Sequence, residues 1–243
     1  MKSLVFAKRC LKEILRDPLN LAFGLGFPVA ILLLLSAIQA NVPVDLFAIE
    51  RLAPGAAVFG LSFITLFSAT LIAKDRESAF LQRLYATPLK AVDFILGYTL
   101  PLLPVAFAQA GICYLVAFAL GLPISVNIVY ALVMVLPVSV LYIAVGLLCG
   151  SVLNVKQVGG VCGALFTNLS AWLSGVWFDL ALVGGGFEKI ANFLPFVHAV
   201  TAQRAAVDGA VLDSLLHSLP VLVYAVALTV VAVLLFLRQM RKQ

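Results

Sequence analysis

Six apolar stretches, each about as long as a lipid bilayer is thick and almost free of charge, follow one another along this 243-residue chain. A hydrocarbon core of ~30 Å needs ~20 apolar residues in a spanning helix. Such windows fall at about 19–39, 53–73, 92–120, 127–149, 159–178 and 216–237. They are apolar on every side, whereas a helix of a soluble bundle carries its apolar residues along one stripe. A soluble domain is about half apolar and a quarter charged, against 63% and 11% here. The connections, mostly shorter than ~20 residues, are too short to bury cores of their own. The sequence therefore predicts an all-α, polytopic membrane protein with six transmembrane helices, forming one transmembrane domain over 1–243.

Lysine and arginine set the orientation, because short cytoplasmic loops retain positive charge during insertion. With the N-terminus inside, the inner segments hold Lys2, Lys8, Arg9, Lys12, Arg16, Lys74, Arg76, Arg83, Lys90, Lys156, Arg238, Arg241 and Lys242. The outer ones hold only Arg51, Lys189 and Arg204. Both termini are expected in the cytoplasm and the chain in the cell (cytoplasmic) membrane. The net charge of +5 follows from this asymmetry and gives no reason to invoke nucleic acid. Four cysteines, Cys10, Cys113, Cys149 and Cys162, fall in spans or on the inner side, where no disulfide is expected. No C-x-x-C or Cys/His cluster offers a metal site, and His198 and His217 read as interfacial polar residues. A cleavable signal peptide is not expected, since an 18-residue charged segment precedes the first apolar window.

That first segment, 1–18, reads as a basic amphipathic helix. At ~100° per residue, Leu4, Ala7, Leu11, Ile14 and Leu15 share one face, and Lys2, Lys8, Arg9, Lys12 and Arg16 a neighbouring arc. It suits a position flat on the inner leaflet, cations toward anionic headgroups, and ends at Asp17-Pro18, since proline disfavours helix in the residue before it. It serves either as a plain anchor or as a helix that also touches a cytoplasmic partner.

The connection at 74–91 is the most distinctive stretch. Phe80, Leu81, Leu84 and Tyr85 recur at helical spacing, Glu77 sits in the first turn and Thr87-Pro88 stops it. A short interfacial helix and a solvated charged loop both fit these residues. The run Asp75-Arg76-Glu77, then Leu81-x-Arg83-Leu84-x-Ala86-Thr87-Pro88, then Phe94-x-Leu96-Gly97, resembles the pattern between the second and third spans of type 2 ABC exporter permeases. Arg16-Asp17-Pro18 ahead of Phe27-Pro28, and Asn192-Phe193-Leu194-Pro195-Phe196-x-His198-Ala199-Val200 leading into Gln203-Arg204, are similar to that family too. The first external loop, about 41–52, is short, unlike the branches with a large domain there.

The resemblance implies a permease subunit that pairs with a second permease, identical or related, and with cytoplasmic ATP-binding cassette ATPase subunits. ATP and magnesium would sit on those partners, with no cofactor bound by this chain. It assigns ATPase coupling to Asp75, Arg76, Glu77, Leu81, Arg83, Leu84, Thr87 and Pro88, and an interface role to the helix bearing Lys8, Arg9, Lys12 and Arg16. It also makes 179–212 an extracellular segment of short re-entrant helices before the last span.

The residues themselves favour an external energy source. Asp93, Asp179 and Asp213 lie near span ends, so no ion relay stands near the membrane centre. No G-x-x-x-x-G-K-[S/T] is present to cradle phosphates. No paired carboxylates or activated nucleophile mark a catalytic site. Of the polar residues inside spans, Thr65, Ser68, Gln109 and Asn168 are candidates for a substrate path, with helix-to-helix hydrogen bonding as the alternative. Gly146-x-x-x-Gly150 and Gly159-x-x-x-Gly163 match the small-xxx-small pattern of close helix approach. Pro101 and Pro104 predict a kink in the third span. The expected cargo is an amphiphile such as a drug, antibiotic peptide or lipid-like molecule. Export of lipid-linked polysaccharide is the alternative, and a membrane-embedded lipid-modifying enzyme a more distant one.

Overall fold

The computed structural model describes residues 2–78 and 91–240, which are helical apart from short connections and contain no strand. Helix α1, Lys2–Leu15, comes first. After a turn, α2 spans Pro18–Gln39, with a π-helical segment at Ala22–Gly26. Asp17 starts it: its carboxylate accepts from the Asn20 amide at 3.2 Å, and Pro18 fills the first helical position, where a missing N–H costs nothing. Helix α3 is Ile49–Glu77.

The third apolar window is two helices, α4 (Ala91–Thr99) and α5 (Leu102–Ala119). They part at Leu100-Pro101, because proline clashes with the preceding turn. Helix α6 is Asn127–Val152. The fifth window forms a shorter helical run, α7, at 155–173. Its central eight residues, Gly159–Phe166, are π-helical. Five helices are long and apolar enough to cross a membrane among the described residues, and α7 is not one of them. Lys156, Gln157 and Asn168 dilute its apolar character. Each of the six windows thus forms helix, the fifth only as far as Leu173, and five have the length and composition of a span.

Two short helices, α8 (Gly185–Phe193) and α9 (Pro195–Val207), precede the long α10, Val211–Met240. Helix α9 does not run the height of the bundle. Its first turn packs Phe196 against Tyr142 and Phe166, at ring-centroid distances of 6.3 and 5.7 Å. Tyr142 lies about 22 Å along α6 from Asn127, whereas the last residue of α9, Val207, accepts from Asn127 Nδ2 at 3.1 Å. The helix therefore starts at mid-height and ends level with the start of α6.

Helix α3 is the axle. Leu52, Ala56, Leu61, Ile64, Phe67 and Leu71 are buried along its length. Small residues let α6 approach it: a Cβ on Gly146 would fall 2.7 Å from the Thr65 carbonyl oxygen, and one on Gly150 2.7 Å from that of Ala69. The close approach lets polar side chains bond across the seam. Thr65 Oγ1 donates to the Tyr142 carbonyl at 2.8 Å, and Ser68 Oγ to that of Ile143 at 3.3 Å.

Candidate functional site: the junction at the end of α3

The last turn of α3 carries four consecutive charged residues, Lys74, Asp75, Arg76 and Glu77. At ~100° per residue they point in four directions, and each reaches a different part of the bundle. Lys74 Nζ lies 3.4 Å from Asp17 Oδ2, the residue that caps α2. Asp75 is 1% exposed and accepts from both guanidinium nitrogens of Arg9 on α1 and, at 2.8 Å, from the Tyr98 hydroxyl on α4. Arg76 donates to the carbonyls of Ser151 and Leu153, at the end of α6 where carbonyls lack helical partners. Glu77 Oε1 accepts from the Val155 amide at 2.9 Å, the first N–H of α7. Asn154 and Gln157 complete that helix start with a reciprocal capping box.

Helix α1 is clamped onto this turn. Phe6 packs edge-on against Phe94 and Tyr98, with centroids 6.0 and 4.9 Å apart. Gly97 makes the room: a Cβ there would sit 1.9 Å from Phe6 Cδ1. Arg9 also pairs with Glu13 at 2.9 Å. Burial works against the Arg9 charge, but the hydrogen bonds and charge of Asp75, with Glu13 behind it, raise its pKa above the ordinary arginine value. Burial pushes the Cys10 thiol up to about 12, and burial likewise raises Glu13. Arg9 is thus a fixed cation, while Lys8, Lys12 and Arg16 stay exposed. The face of α1 turned to the protein is Phe6, Ala7, Cys10 and Ile14. The apolar face expected from the sequence included Leu4 and Leu15 and left out Phe6. Both leucines are exposed, at 62% and 59%, because the protein-facing stripe is rotated around the helix from the one expected.

Of the residues expected to couple to a partner, Asp75, Arg76 and Glu77 therefore meet in one junction. Leu81, Arg83, Leu84, Thr87 and Pro88 lie outside the described residues. The substrate-path candidates do not come together. Thr65 and Ser68 are fully buried in the α3–α6 seam. Gln109 is buried on α5, its Nε2 donating to Cys113 Sγ at 3.3 Å, and a Cβ on Gly60 of α3 would collide with its amide. Asn168 is exposed and donates to the Ala164 carbonyl of its own helix at 2.8 Å. Sequence reading missed Tyr98, Asp17 and Asn154 as members of the junction. Tyr98 gave no signal among the spans' aromatics, but Asn154-x-x-Gln157 before an apolar run was a readable helix start.

The opposite end of the bundle is built differently. A cleft of about 380 Å³ opens between the loop before α3, the segment after α7, α8 and α9. Its lining pairs charged residues, including Asp45, Arg51, Asp179 and Glu188, with the aromatic Trp177 and Phe178. Arg204 of α9 donates to the carbonyls of Arg51 (3.3 Å) and Gly175 (3.0 Å), fastening the cleft floor.

Long apolar helices around a small-residue axle, with a charged junction at one end and a half-height helix at the other, define a polytopic membrane protein. The ABC-2 type transporter family model matches residues 2–207, and the chain belongs to that family as the permease, the membrane-spanning transport subunit of an ABC transporter. No curated protein and no solved structure matches the chain.

Proposed function

We propose that this permease serves an ATP-driven exporter moving an amphiphilic substrate, a drug, antibiotic peptide or lipid-like molecule, across the cytoplasmic membrane. The junction end faces the cytoplasm, and a separate ATP-binding subunit holding ATP and magnesium supplies the work. A second permease completes the pair, with a homodimer as the default because closed two-fold assemblies are the commonest.

One observation carries this reading. Residues 74–77 bond to α1, α2, α4, α6 and α7 from a single helical turn, immediately before the 79–90 connection. A push delivered through that connection reaches five other helices without passing through loosely packed chain. The basic face of α1 lies beside it, as an inner-leaflet position requires. At the other end, a cleft lined by both charges and aromatic rings suits a molecule with a polar head and an apolar body.

The test is reconstitution with the ATPase subunit in vesicles. Glu77→Lys and Arg83→Glu are expected to leave insertion and ATP hydrolysis intact while abolishing transport. Unchanged transport by both variants overturns the coupling assignment. Uphill transport by the permease without any ATPase overturns the whole reading.

A further inference from the structure

The two histidines of the chain, 19 residues apart in sequence, meet across the contact of α9 and α10. His198 Nδ1 and His217 Nδ1 are 3.1 Å apart, with the rings inclined by only 27° and both side chains half-buried. The other nitrogen of His198, Nε2, lies 3.1 Å from the carbonyl oxygen of Asn192 at the end of α8. A carbonyl only accepts, so Nε2 carries a proton, and in the neutral ring the Nδ1 lone pair points at His217.

This is the arrangement of a metal-ligating histidine: one ring nitrogen held by a backbone carbonyl, the other presented to the ion. Two imidazole nitrogens on a tetrahedral zinc, each at ~2.0–2.1 Å, stand about 3.3 Å apart. The observed separation is close to that value before any ion is bound. Asp213, exposed and four residues before His217 on α10, brings a carboxylate to within one helical turn and adds negative charge.

We infer that His198 and His217 form a site for a nitrogen-seeking divalent cation of the zinc or copper class, held through both Nδ1 atoms and joining α9 to α10. On binding, His217 moves its proton from Nδ1 to Nε2, so that the hydrogen bond between the two rings gives way to two nitrogen–metal bonds. Among the described residues no third histidine, cysteine or carboxylate closes the site, so solvent fills the remaining positions. Such an open, two-imidazole site suits a cation that comes and goes. It would add a third tie to a region already fastened by Ser214 Oγ donating to the Ala202 carbonyl (2.8 Å) and the Tyr224 hydroxyl donating to that of Phe193 (2.9 Å).

The test uses the full-length, untagged permease in lipid nanodiscs, with Cu²⁺ as the spectroscopic probe and Zn²⁺ as competitor. One saturable Cu²⁺ per chain is expected, its paramagnetic resonance spectrum showing coupling to two imidazole nitrogens, and Zn²⁺ should displace it. His198→Gln and His217→Gln should each weaken binding by more than the ~10-fold typical of removing a ligand's supporting partner. Unchanged elution of the variants on size exclusion shows that they fold. A wild-type spectrum lacking two imidazole nitrogens overturns the inference without recourse to any variant. Equal binding by the wild type and the double variant overturns it as well.

Discussion

Helices α3 and α10 are both long, apolar and able to cross a bilayer, yet 89% of the spanning window of α3 is buried inside the protein and only 22% of that of α10. The buried one is the less apolar of the two. In water the order would be reversed, since burial there rewards hydrophobicity. In lipid the surroundings are as apolar as leucine, so association is decided by close packing and polar contacts. Helix α3 has the residues for that, with Ala53, Ala56, Ala57, Ser62, Thr65, Ser68 and Ala69 covered by neighbours. Helix α10 turns Leu219, Val223, Val226, Val230 and Leu234 outward.

The comparison is most exposed to failure at the end of α3. Breaking a buried ion pair by removing one partner costs ~3–5 kcal/mol, and the lower end applies because Arg9 is 37% exposed. Asp75→Ala should therefore lower thermal stability in detergent by several degrees and loosen α1, read as faster amide exchange in Lys2–Leu15. Asp75→Asn, which keeps an acceptor for Tyr98, should lose less. Equal losses for the two would leave the ion pair, which both variants break, as the whole cause, and no loss in Asp75→Asn would remove it.

Next comes the small-residue seam, where two identical patterns should behave differently. Gly150→Ala places a Cβ 2.7 Å from backbone of α3, forcing α3 and α6 apart, and should cost ~1–3 kcal/mol as overpacking does. Gly159→Ala meets nothing within 4 Å and should be neutral or slightly stabilising. If denaturation midpoints rank the two the other way, the seam is misassigned.

A smaller effect is expected from Thr65→Val, which removes the hydroxyl bonded to Tyr142 but keeps the shape. Membrane helix hydrogen bonds average ~0.6 kcal/mol, so equilibrium unfolding should shift by about that much. The smallest belongs to α10. Val226 is 62% exposed, and Val226→Ala should fall within ~0.5 kcal/mol of the parent. A large loss there would mean that a second chain covers this face.

Much of the architecture was legible because the membrane imposes a length on each helix. The windows at 53–73 and 127–149 became Ile49–Glu77 and Asn127–Val152, the first longer at both ends, where charged residues continue the helix beyond the apolar run, and the second only at its end. Pro101 marked the break between α4 and α5. Gly146-x-x-x-Gly150 was correctly read as a place of close approach, whereas Gly159, in the same pattern, faces open space. A spacing rule cannot tell which side of a helix has a neighbour. The fifth window was the hardest: the helix begins before it, at Val155, and so takes in Lys156 and Gln157 beside Asn168, which leave it short of the apolar character of the others, and its π-helical centre has no sequence signature.

In the junction, the acidic and basic residues of 75–77 stood out by resemblance, but their partners did not. Carbonyls of α6 and the first amide of α7 are backbone groups, invisible in a side-chain alphabet. Arg9 and Tyr98 lie 66 and 23 residues away from Asp75. The histidine pair was missed for the same reason, since nothing in a 19-residue separation says that two rings will face each other.

Because one helical turn of α3 addresses its neighbours in four different compass directions, its end cannot swivel a little. A rotation large enough to free Arg76 from the tail of α6 also carries Asp75 past Arg9 and Glu77 past Val155. The joint is a keyed shaft: it turns every attached helix together, or it disengages from all of them at once.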